Sequence, residues 1–267
     1  KFCTSSTLTI VQAQHEGRSE KFEVKVFNLQ TLQRPNLLTL NATIPTMSER
    51  DLIALSSYQL IPRVLHDVHE VETRTTILER SLVSPMIPLV ESGSQKLDTL
   101  SLLEVSLILD HEELNASLSI PLLRTEKMGD LMPKIRSLAT RGIPALALDF
   151  TVLADTPPFG NNTWKPKTRE DLAEIRAASG CPIWLYGICS PDDAEVAMEA
   201  GLEAIIVHSG AGFYLDGPAT IEVFPEIFDA VAGMMSVYAG GVVRSGIDVF
   251  RYLAVGAEAV IVDTDRS

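Results

Sequence analysis

Three polar side chains lie at or near the ends of short apolar segments, which is where parallel strands present their chemistry. Asp149, Tyr186 and His208 take these positions in segments 143–150, 182–186 and 204–208. A carboxylate there suits a general base, a histidine suits an acid, a base or a ligand contact, and a tyrosine stacks or donates a hydrogen bond. The plain alternatives are a rim histidine, a tyrosine that plugs an empty pocket and a carboxylate without a catalytic role. The three residues are therefore candidate catalytic groups.

A glycine pair followed by an arginine is the second pattern that could do chemistry. Gly240 and Gly241 precede Arg244, and a predicted helix begins two residues after the arginine. Backbone N–H groups at a helix N-terminus, together with one guanidinium, form an anion site that suits a phosphate.

The elements that must position these residues alternate between apolar strands and amphipathic helices after Pro62. Strands are predicted at 86–90, 105–109, 117–122, 143–150, 182–186, 204–208, 236–239 and 259–262. Helices are predicted at 126–141, 168–179, 191–200, 218–231 and 246–255, with Thr168 and Ser190 as N-caps. Eight strands are the number that closes a (β/α)8 TIM barrel, which we favour over an open doubly wound sheet. This α/β barrel would be trimmed in its first helices and would lack the last one.

The first 60 residues show no strong periodicity. Segments 7–11 and 21–27 alternate like the two strands of a β-hairpin. We therefore predict an N-terminal arm at 1–60 and a barrel at 61–267.

Composition excludes several classes of protein. Of 267 residues, 46% are hydrophobic, which is enough to build a core and excludes a disordered chain. The formal charge of −13 repels phosphate backbones and anionic lipid, so neither nucleic acid nor a membrane is an expected partner. The three cysteines, Cys3, Cys181 and Cys189, form no disulfide framework, which favours the cytoplasm or another reducing compartment. No metal site is expected.

Several motifs occur with the spacing found in one enzyme family. They lie in residues 61–76, 131–152 and 183–262, and the last stretch contains the motifs at 215–220, 244–250 and 253–257. These segments resemble the FMN-dependent α-hydroxy acid oxidases and dehydrogenases, the family of glycolate oxidase and the flavin lactate dehydrogenases. The resemblance implies a TIM barrel, FMN as cofactor, oxidation of a small 2-hydroxy acid bound in the barrel mouth, and a homo-oligomer.

At the catalytic positions of that family the sequence departs from the pattern. The resemblance implies a histidine base, an arginine that grips the substrate carboxylate, a lysine beside the flavin, a tyrosine that supports the substrate and an aspartate that supports the histidine. In that order, these positions hold Gly210, Phe213, Tyr186, Pro121 and Thr151. The groups left for acid/base work are His208, Asp149 and Tyr186.

The positions that bind the flavin are partly kept. Gly240, Gly241 and Arg244 match the phosphate turn with the glycines shifted by one residue, and Ser119 replaces a glutamine that contacts the flavin. Asp263 stands where the family has the glycine of a Gly-Arg pair, and an anion there opposes a phosphate. FMN is the implied cofactor, its expected site is weakened, and no other cofactor is expected.

Three functions remain open, and the sequence leaves it undecided whether the chain is an enzyme. The first is a barrel that has lost 2-hydroxy acid oxidation and serves a non-redox catalytic role, or a structural or regulatory one. The second is an FMN-dependent oxidoreductase with a different substrate. The third is a scaffold subunit that assembles with an active homologue. The first two imply a small-molecule ligand in the barrel mouth, and the third implies a homologous subunit as partner.

Overall fold

Eight parallel strands close into a barrel in the computed structural model of this chain. The structure describes residues 47–61, 72–91, 104–107, 119–151, 166–209 and 217–263. In chain order the elements are α1 (Met47–Ser57), β1 (Thr75–Ile77), β2 (Arg80–Leu82), β3 (Met86–Glu91), β4 (Glu104–Leu107), β5 (Ser119–Arg124), α2 (Met128–Ala139), β6 (Leu146–Asp149), α3 (Arg169–Ser179), β7 (Ile183–Ile188), α4 (Pro191–Glu199), β8 (Ala204–Val207), α5 (Thr220–Val231), β9 (Ser236–Ala239), α6 (Gly246–Ala254) and β10 (Val260–Asp263).

The strand order confirms the predicted (β/α)8 barrel. Around the barrel it is β10-β3-β4-β5-β6-β7-β8-β9, and the ring closes where Val260 of β10 pairs with Ala239 of β9. Helices α2 to α6 connect consecutive strands from β5 to β10. Every predicted strand and helix of the barrel coincides with an observed element, and only the ends differ. The segments of the expected trimmed first helices and missing last helix, and the hairpin within 7–27, lie outside the described residues. The domain division at residue 60 stays a prediction.

Alternation along the strands creates two apolar layers. Rings of Trp184 and Tyr238, with centroids 4.8 Å apart, fill the middle of the barrel. The interior therefore is a filled core and not a pore. It contains Ile77, Leu82, Ile87, Ile120, Leu122, Ala145, Ala147, Trp184, Tyr186, Ala204, Ile206, Tyr238, Ala259 and Ile261. The outer layer, between strands and helices, includes Leu131, Ile135, Leu148, Leu172, Ile175, Leu185, Ile205, Ile221, Phe224, Val237 and Tyr252.

A hairpin that the sequence does not predict covers the N-terminal end of the barrel. Its strands β1 and β2 pair antiparallel, and residues 83–85 alone separate β2 from β3. Ile77 and Leu82 are buried with the barrel interior. The turn residues Leu78 and Glu79 have φ angles of +51° and +61°. Such turns normally use Gly, Asn or Asp, so this one has no sequence signature.

Helix α1 lies within the predicted arm and packs on the outside of the barrel against α5 and α6. Its buried positions are Asp51 and Leu55, followed by Tyr58 just beyond the helix. Because a carboxylate takes one of the buried positions, the sequence shows no clear apolar stripe there. This explains why periodicity does not predict the helix.

Local side-chain signals set the ends of two helices. Thr168 Oγ1 accepts a hydrogen bond from the Asp171 nitrogen at 3.2 Å, and Asp171 Oδ2 accepts one from the Thr168 nitrogen at 3.0 Å. Ser190 Oγ accepts from the Asp193 nitrogen at 3.2 Å. Both predicted N-caps are confirmed. In the described part of the chain no helix has the length and apolar character to cross a membrane.

Candidate functional site at the barrel mouth

Four consecutive strands bring four side chains together at their carboxyl ends. We call this set the mouth arc: Arg124 at the end of β5, Asp149 at the end of β6, Tyr186 on β7 and His208 just after β8. Arg124 pairs in register with Asp149, and Asp149 with Tyr186. All four continue the inward-facing alternation of their strands. In TIM barrels this end carries the active site, and all three candidate catalytic residues lie here.

Tyr186 and His208 form the centre of the mouth arc. Their ring centroids lie 5.1 Å apart, with 32° between the planes. The His208 nitrogen donates a hydrogen bond to the Ile188 carbonyl at 3.0 Å, which extends the sheet one residue beyond β8. Tyr186 is buried and His208 half-buried. The pair thus covers the barrel core with aromatic surface, and part of the imidazole faces the mouth.

A β-bulge directly after Tyr186 determines where β7 stops facing inward. Tyr186 pairs with Ile206, but Ile188, and not Gly187, pairs with Val207. Gly187 has a φ of +101°, and a Cβ on it would lie 2.8 Å from the Thr151 nitrogen. Glycine satisfies both constraints. The bulge turns Ile188 to the outer layer and leaves Tyr186 as the last inward-facing residue of β7.

The carboxylate of Asp149 closes the end of its own strand. Asp149 Oδ1 accepts hydrogen bonds from the Thr151 nitrogen at 2.8 Å and from Thr151 Oγ1 at 2.5 Å. The Asp149 backbone carbonyl accepts one from Thr125 Oγ1 at 2.9 Å. This arrangement is an Asx turn. It gives Asp149 a structural role and fixes the position of its carboxylate in the mouth arc.

The glycine pair after β9 packs against the protein itself. A Cβ on Gly240 would lie 3.1 Å from His208 Cδ2 and 3.1 Å from Ile206 Cγ2. Gly241 has a φ of +130°, and its Cβ would lie 3.1 to 3.3 Å from three side-chain oxygens of α1, α5 and α6. The close approach of other side chains therefore accounts for both glycines without a phosphate.

A carboxylate of the chain lies in the first turn of α6, beside the predicted anion site. Asp248 Oδ2 accepts hydrogen bonds from the Arg244 nitrogen at 3.1 Å and from Ser245 Oγ at 3.0 Å. Its Oδ1 pairs with Arg251 Nη1 at 2.8 Å. Asp248 is buried, whereas the Arg244 side chain is exposed. The buried carboxylate already complements this helix N-terminus, and it repels a second anion there.

The structure corrects the expectation for Ser119. Ser119 begins β5 at the end opposite the mouth, and it alternates with Ile120 and Leu122, which face the barrel interior. An offset of one residue reverses the face, so the buried Ser119 side chain points to the outer layer. The β5 residue at the mouth is Arg124, which is exposed and which the sequence analysis missed. Its position directly after the apolar run 120–123 was the available signal.

Other expected positions divide between described and undescribed parts of the chain. Asp263 ends β10 and pairs with Leu89, which places it at the mouth rim. Gly210 and Phe213 lie outside the described residues. Burial raises the pKa of the Cys181 and Cys189 thiols, which keeps them protonated. Among the described residues, no group of three or more His, Cys, Asp or Glu side chains could hold a metal ion.

Comparison with known proteins identifies one family. The sequence pattern of the family described as FMN-dependent dehydrogenase matches residues 125–263, just over half of the 267-residue chain. The match runs from the end of β5 to the end of β10 and contains the whole mouth arc except Arg124.

Relatives of this chain include 2-hydroxyacid oxidases. Human 2-hydroxyacid oxidase 1 is 46% identical over 94 residues, which are 35% of this chain and 25% of that protein. A 2-hydroxyacid oxidase of Dictyostelium discoideum is 28% identical over 277 residues, which covers 78% of this chain and 68% of that protein. The chain thus matches about a quarter of the length of the human relative.

Solved structures with the same architecture include two oxidases. A mandelate oxidase variant that carries a monooxide FMN adduct superposes with a TM-score of 0.65 at 25% identity, over 82% of this chain and 76% of that chain. A refolded lactate oxidase of Pediococcus acidilactici gives a TM-score of 0.67 at 20% identity, over 81% of this chain and 73% of that chain, and this likeness shows the fold alone. Because the family pattern matches more than half of its residues, the chain belongs to the FMN-dependent dehydrogenase family.

Proposed function

We propose that this chain is a divergent family member that binds a small anionic molecule in the barrel mouth and does not oxidise 2-hydroxy acids. The observation that carries the proposal is the ring contact between Tyr186 and His208. Tyr186 occupies the position at which the family resemblance implies the lysine beside the flavin. His208 lies at the end of the strand that leads to the position of the catalytic base. A non-redox role follows if the flavin has no place there.

The centre of the barrel mouth lacks the positive charge that would stabilise a reduced flavin. The resemblance implies an ammonium group at position 186, which would stabilise an anionic flavin ring. Here the position holds a buried phenol, which carries no positive charge at neutral pH. Its ring and the His208 imidazole, 5.1 Å apart, also occupy space above the barrel core.

The phosphate end of an FMN molecule also fits the chain poorly. Asp248 already accepts the Arg244 amide and the Ser245 hydroxyl at the N-terminus of α6. Asp263 adds a second carboxylate at the end of β10. Asp263 would repel a phosphate, Asp248 already takes two hydrogen-bond donors of this turn, and the exposed Arg244 side chain is a charged group that favours a phosphate.

The mouth retains groups that suit an anionic ligand of another kind. Arg124 and Arg244 are both exposed. Arg124 ends β5 and Arg244 follows β9, and these strands lie on opposite sides of the eight-stranded ring. In a chain of net charge −13, such arginines focus anions on this end of the barrel. The His208 imidazole and the Tyr186 hydroxyl are groups that can transfer a proton or form a hydrogen bond to a ligand. These features support a small carboxylate compound as ligand and proton-transfer chemistry as the reaction type.

The first test is the visible absorbance spectrum and the melting temperature of the purified chain, each with and without added FMN. We expect a colourless protein whose melting temperature does not change. A ligand at 100 times its Kd would stabilise the folded state by about 2.7 kcal/mol, which is easily seen. Mandelate oxidase, whose solved structure holds an FMN adduct, is the positive control under the same conditions. A flavin absorbance band, or a rise in melting temperature with FMN, would overturn the proposal.

The ligand class is tested by thermal shift with a panel of small carboxylates and phosphates. A compound that stabilises the wild type should lose most of its effect in Arg124→Gln, because the bidentate cation is removed. Equal stabilisation of both proteins would remove Arg124 from the site.

The second candidate function is an FMN-dependent oxidoreductase that acts on a different substrate. The observations in its favour are the exposed Arg244 beside the glycine pair and the FMN adduct in the mandelate oxidase structure. The same spectrum decides between the two functions, because this candidate requires bound flavin. In that case His208→Ala separates a proton-transfer role of the imidazole from a packing role.

A further inference from the structure

A buried carboxylate connects α1 to the exit of β8. Asp51 is only 1% exposed. Its Oδ1 accepts a hydrogen bond from the Thr220 nitrogen at 3.0 Å, and Ser209 Oγ lies 3.1 Å from both carboxylate oxygens. Thr220 Oγ1 lies 3.4 Å from Asp51 Oδ2 and accepts the Ser209 nitrogen at 3.0 Å. The Asp51 side chain therefore caps the N-terminus of α5 and fixes the position of Ser209, the residue that follows His208.

The same carboxylate reaches the turn after β9. Asp51 Oδ2, Thr220 Oγ1 and Tyr252 Oη converge on the Cα of Gly241, where a Cβ would lie 3.1 to 3.3 Å from each. A side chain at Gly241 would push these oxygens apart, and the φ of +130° disfavours it independently. The turn after β9 can therefore approach α1 and α6 closely only with glycine at this position.

A second contact holds the C-terminal end of α1. Arg251 Nε donates a hydrogen bond to the Tyr58 carbonyl at 3.0 Å, just beyond the helix, and Arg251 Nη1 pairs with Asp248 at 2.8 Å. Asp248 in turn accepts the Arg244 nitrogen. Leu55, between the two polar contacts, is fully buried. Asp51 thus connects α1 to the exits of β8 and β9, and the Tyr58 carbonyl connects the end of this segment to α6.

We propose that α1 is a positioning element of the mouth, and that Asp51 is the positioning residue through which it sets the backbone at Ser209 and hence the His208 ring. This role does not depend on what the mouth binds. Gly241, which the sequence associates with a phosphate, belongs to this contact between α1 and the mouth. Because Leu55 and Arg251 also hold α1, we expect the helix to stay docked when Asp51 is changed. The effect of Asp51 on the His208 ring can therefore be tested separately from the docking of α1.

The test combines residue-level hydrogen exchange with the NMR signals of the His208 ring. In Asp51→Ala the Thr220 amide loses its acceptor, and we expect it to exchange at least about tenfold faster. The Leu185 amide on β7 should stay as in the wild type after correction for global stability. The His208 ring signals, assigned among five histidines with His208→Gln, should shift.

A milder variant keeps the proposal testable if Asp51→Ala does not fold. Ser209→Ala removes one hydroxyl and leaves the Thr220 amide bonded to Asp51. We expect the His208 signals to shift in this variant while the Thr220 amide stays protected. Leu172→Ala, on the buried face of α3, is the matched control for a general loss of stability. It should affect the Thr220 and Leu185 amides equally.

Two results would overturn the proposal. The first is an acceleration at Thr220 in Asp51→Ala that is no larger than at Leu185, since that is the pattern of general destabilisation. The second is an unchanged set of His208 signals in Ser209→Ala, since the hydroxyl would then have no influence on the ring.

Discussion

At the scale of single residues, the carboxylates near the mouth are occupied by the chain's own hydrogen bonds. Asp149 closes the end of β6 through Thr151, and Asp248 closes the first turn of α6 through Arg244 and Ser245. A carboxylate bonded in this way is fixed in position, which favours a defined binding surface. It is less available as a general base, because a proton acceptor needs an open lone pair toward the substrate. His208 is the stronger acid/base candidate for this reason.

The buried Asp51 leads to a prediction for the pH dependence of stability. Burial raises the pKa of Asp51 above its usual value near 3.8, and this outweighs the donors Thr220 and Ser209 and the nearby Arg50, which act in the opposite direction. Tyr252, the titratable group that faces Asp51 from α6, stays neutral because burial raises its pKa as well. The folded state therefore holds the Asp51 proton at pH values where the unfolded chain has released it.

The sign of the effect follows from proton linkage. As pH rises from about 3.8 through the raised pKa, the folded state loses stability, by up to about 1.4 kcal/mol per pH unit. The measurement is urea unfolding across this range for the wild type and for Asp51→Asn, which cannot titrate. The unfolding free energy of the wild type relative to the variant should fall with rising pH and then level off. A relative stability that rises with pH would contradict the raised pKa.

At the scale of elements, the helix α1 and the hairpin β1–β2, which precede the barrel strands in the chain, cover parts of the closed barrel. Hairpin β1–β2 covers the N-terminal end with Ile77 and Leu82, and α1 fills the outer layer beside α5 and α6. The two ends of the barrel thus differ, since one is covered by apolar side chains and the other carries the polar mouth arc. This separation is typical of TIM barrels, in which one end serves stability and the other function.

The hairpin should contribute measurably to stability. Leu82→Ala removes a side chain that is 0% exposed and leaves a cavity at the end of the barrel. We expect a loss of about 2–5 kcal/mol in the free energy of unfolding. Val83→Ala, at a neighbouring side chain that is 56% exposed, is the matched control and should change stability by about 0.5 kcal/mol or less. Similar losses in both variants would mean that the hairpin does not cover the barrel core.

At the scale of the whole molecule, the closed barrel carries an excess of negative charge. The net charge of −13 repels itself in the folded state, and salt screens this repulsion. Salt also weakens ion pairs such as Arg169–Glu199 and Lys134–Glu126, but partly exposed pairs contribute only about 0–1 kcal/mol each. The excess of charge therefore dominates the response to salt.

We expect the melting temperature at pH 7 to rise as NaCl increases from about 10 to 150 mM, the range in which the Debye length falls from about 30 to 8 Å. The increase should shrink as the pH is lowered toward the point where the carboxylates neutralise. Scanning calorimetry at several salt concentrations measures this directly. A melting temperature that falls with salt at pH 7 would show that attractive ion pairs, and not net repulsion, control the response.

The sequence by itself determined the barrel from β3 to β10 and its five connecting helices. Apolar runs and amphipathic periodicity are local properties, and so are caps such as Thr168 and Ser190, so they can be recognised without knowledge of contacts. The strand ends also placed Asp149, Tyr186 and His208 at the mouth. The family motifs could be recognised for the same reason, because they are contiguous in the chain.

Tertiary structure alone decided the features that depend on contacts between distant segments. The turn at Leu78 and Glu79 adopts positive φ angles without glycine, and the burial of the flanking Ile77 and Leu82 compensates for a conformation that no local signal predicts. Ser119 begins β5 at the end opposite the mouth, because the strand extends from Ser119 to Arg124 and not over the predicted 117–122. The sequence motif suggested that Gly241 belongs to an anion site. Its neighbours in the structure are Asp51, Thr220 and Tyr252, which lie far from it along the chain or on another element. Periodicity and motifs report the neighbours along the chain, whereas the roles of these residues are set by neighbours in space.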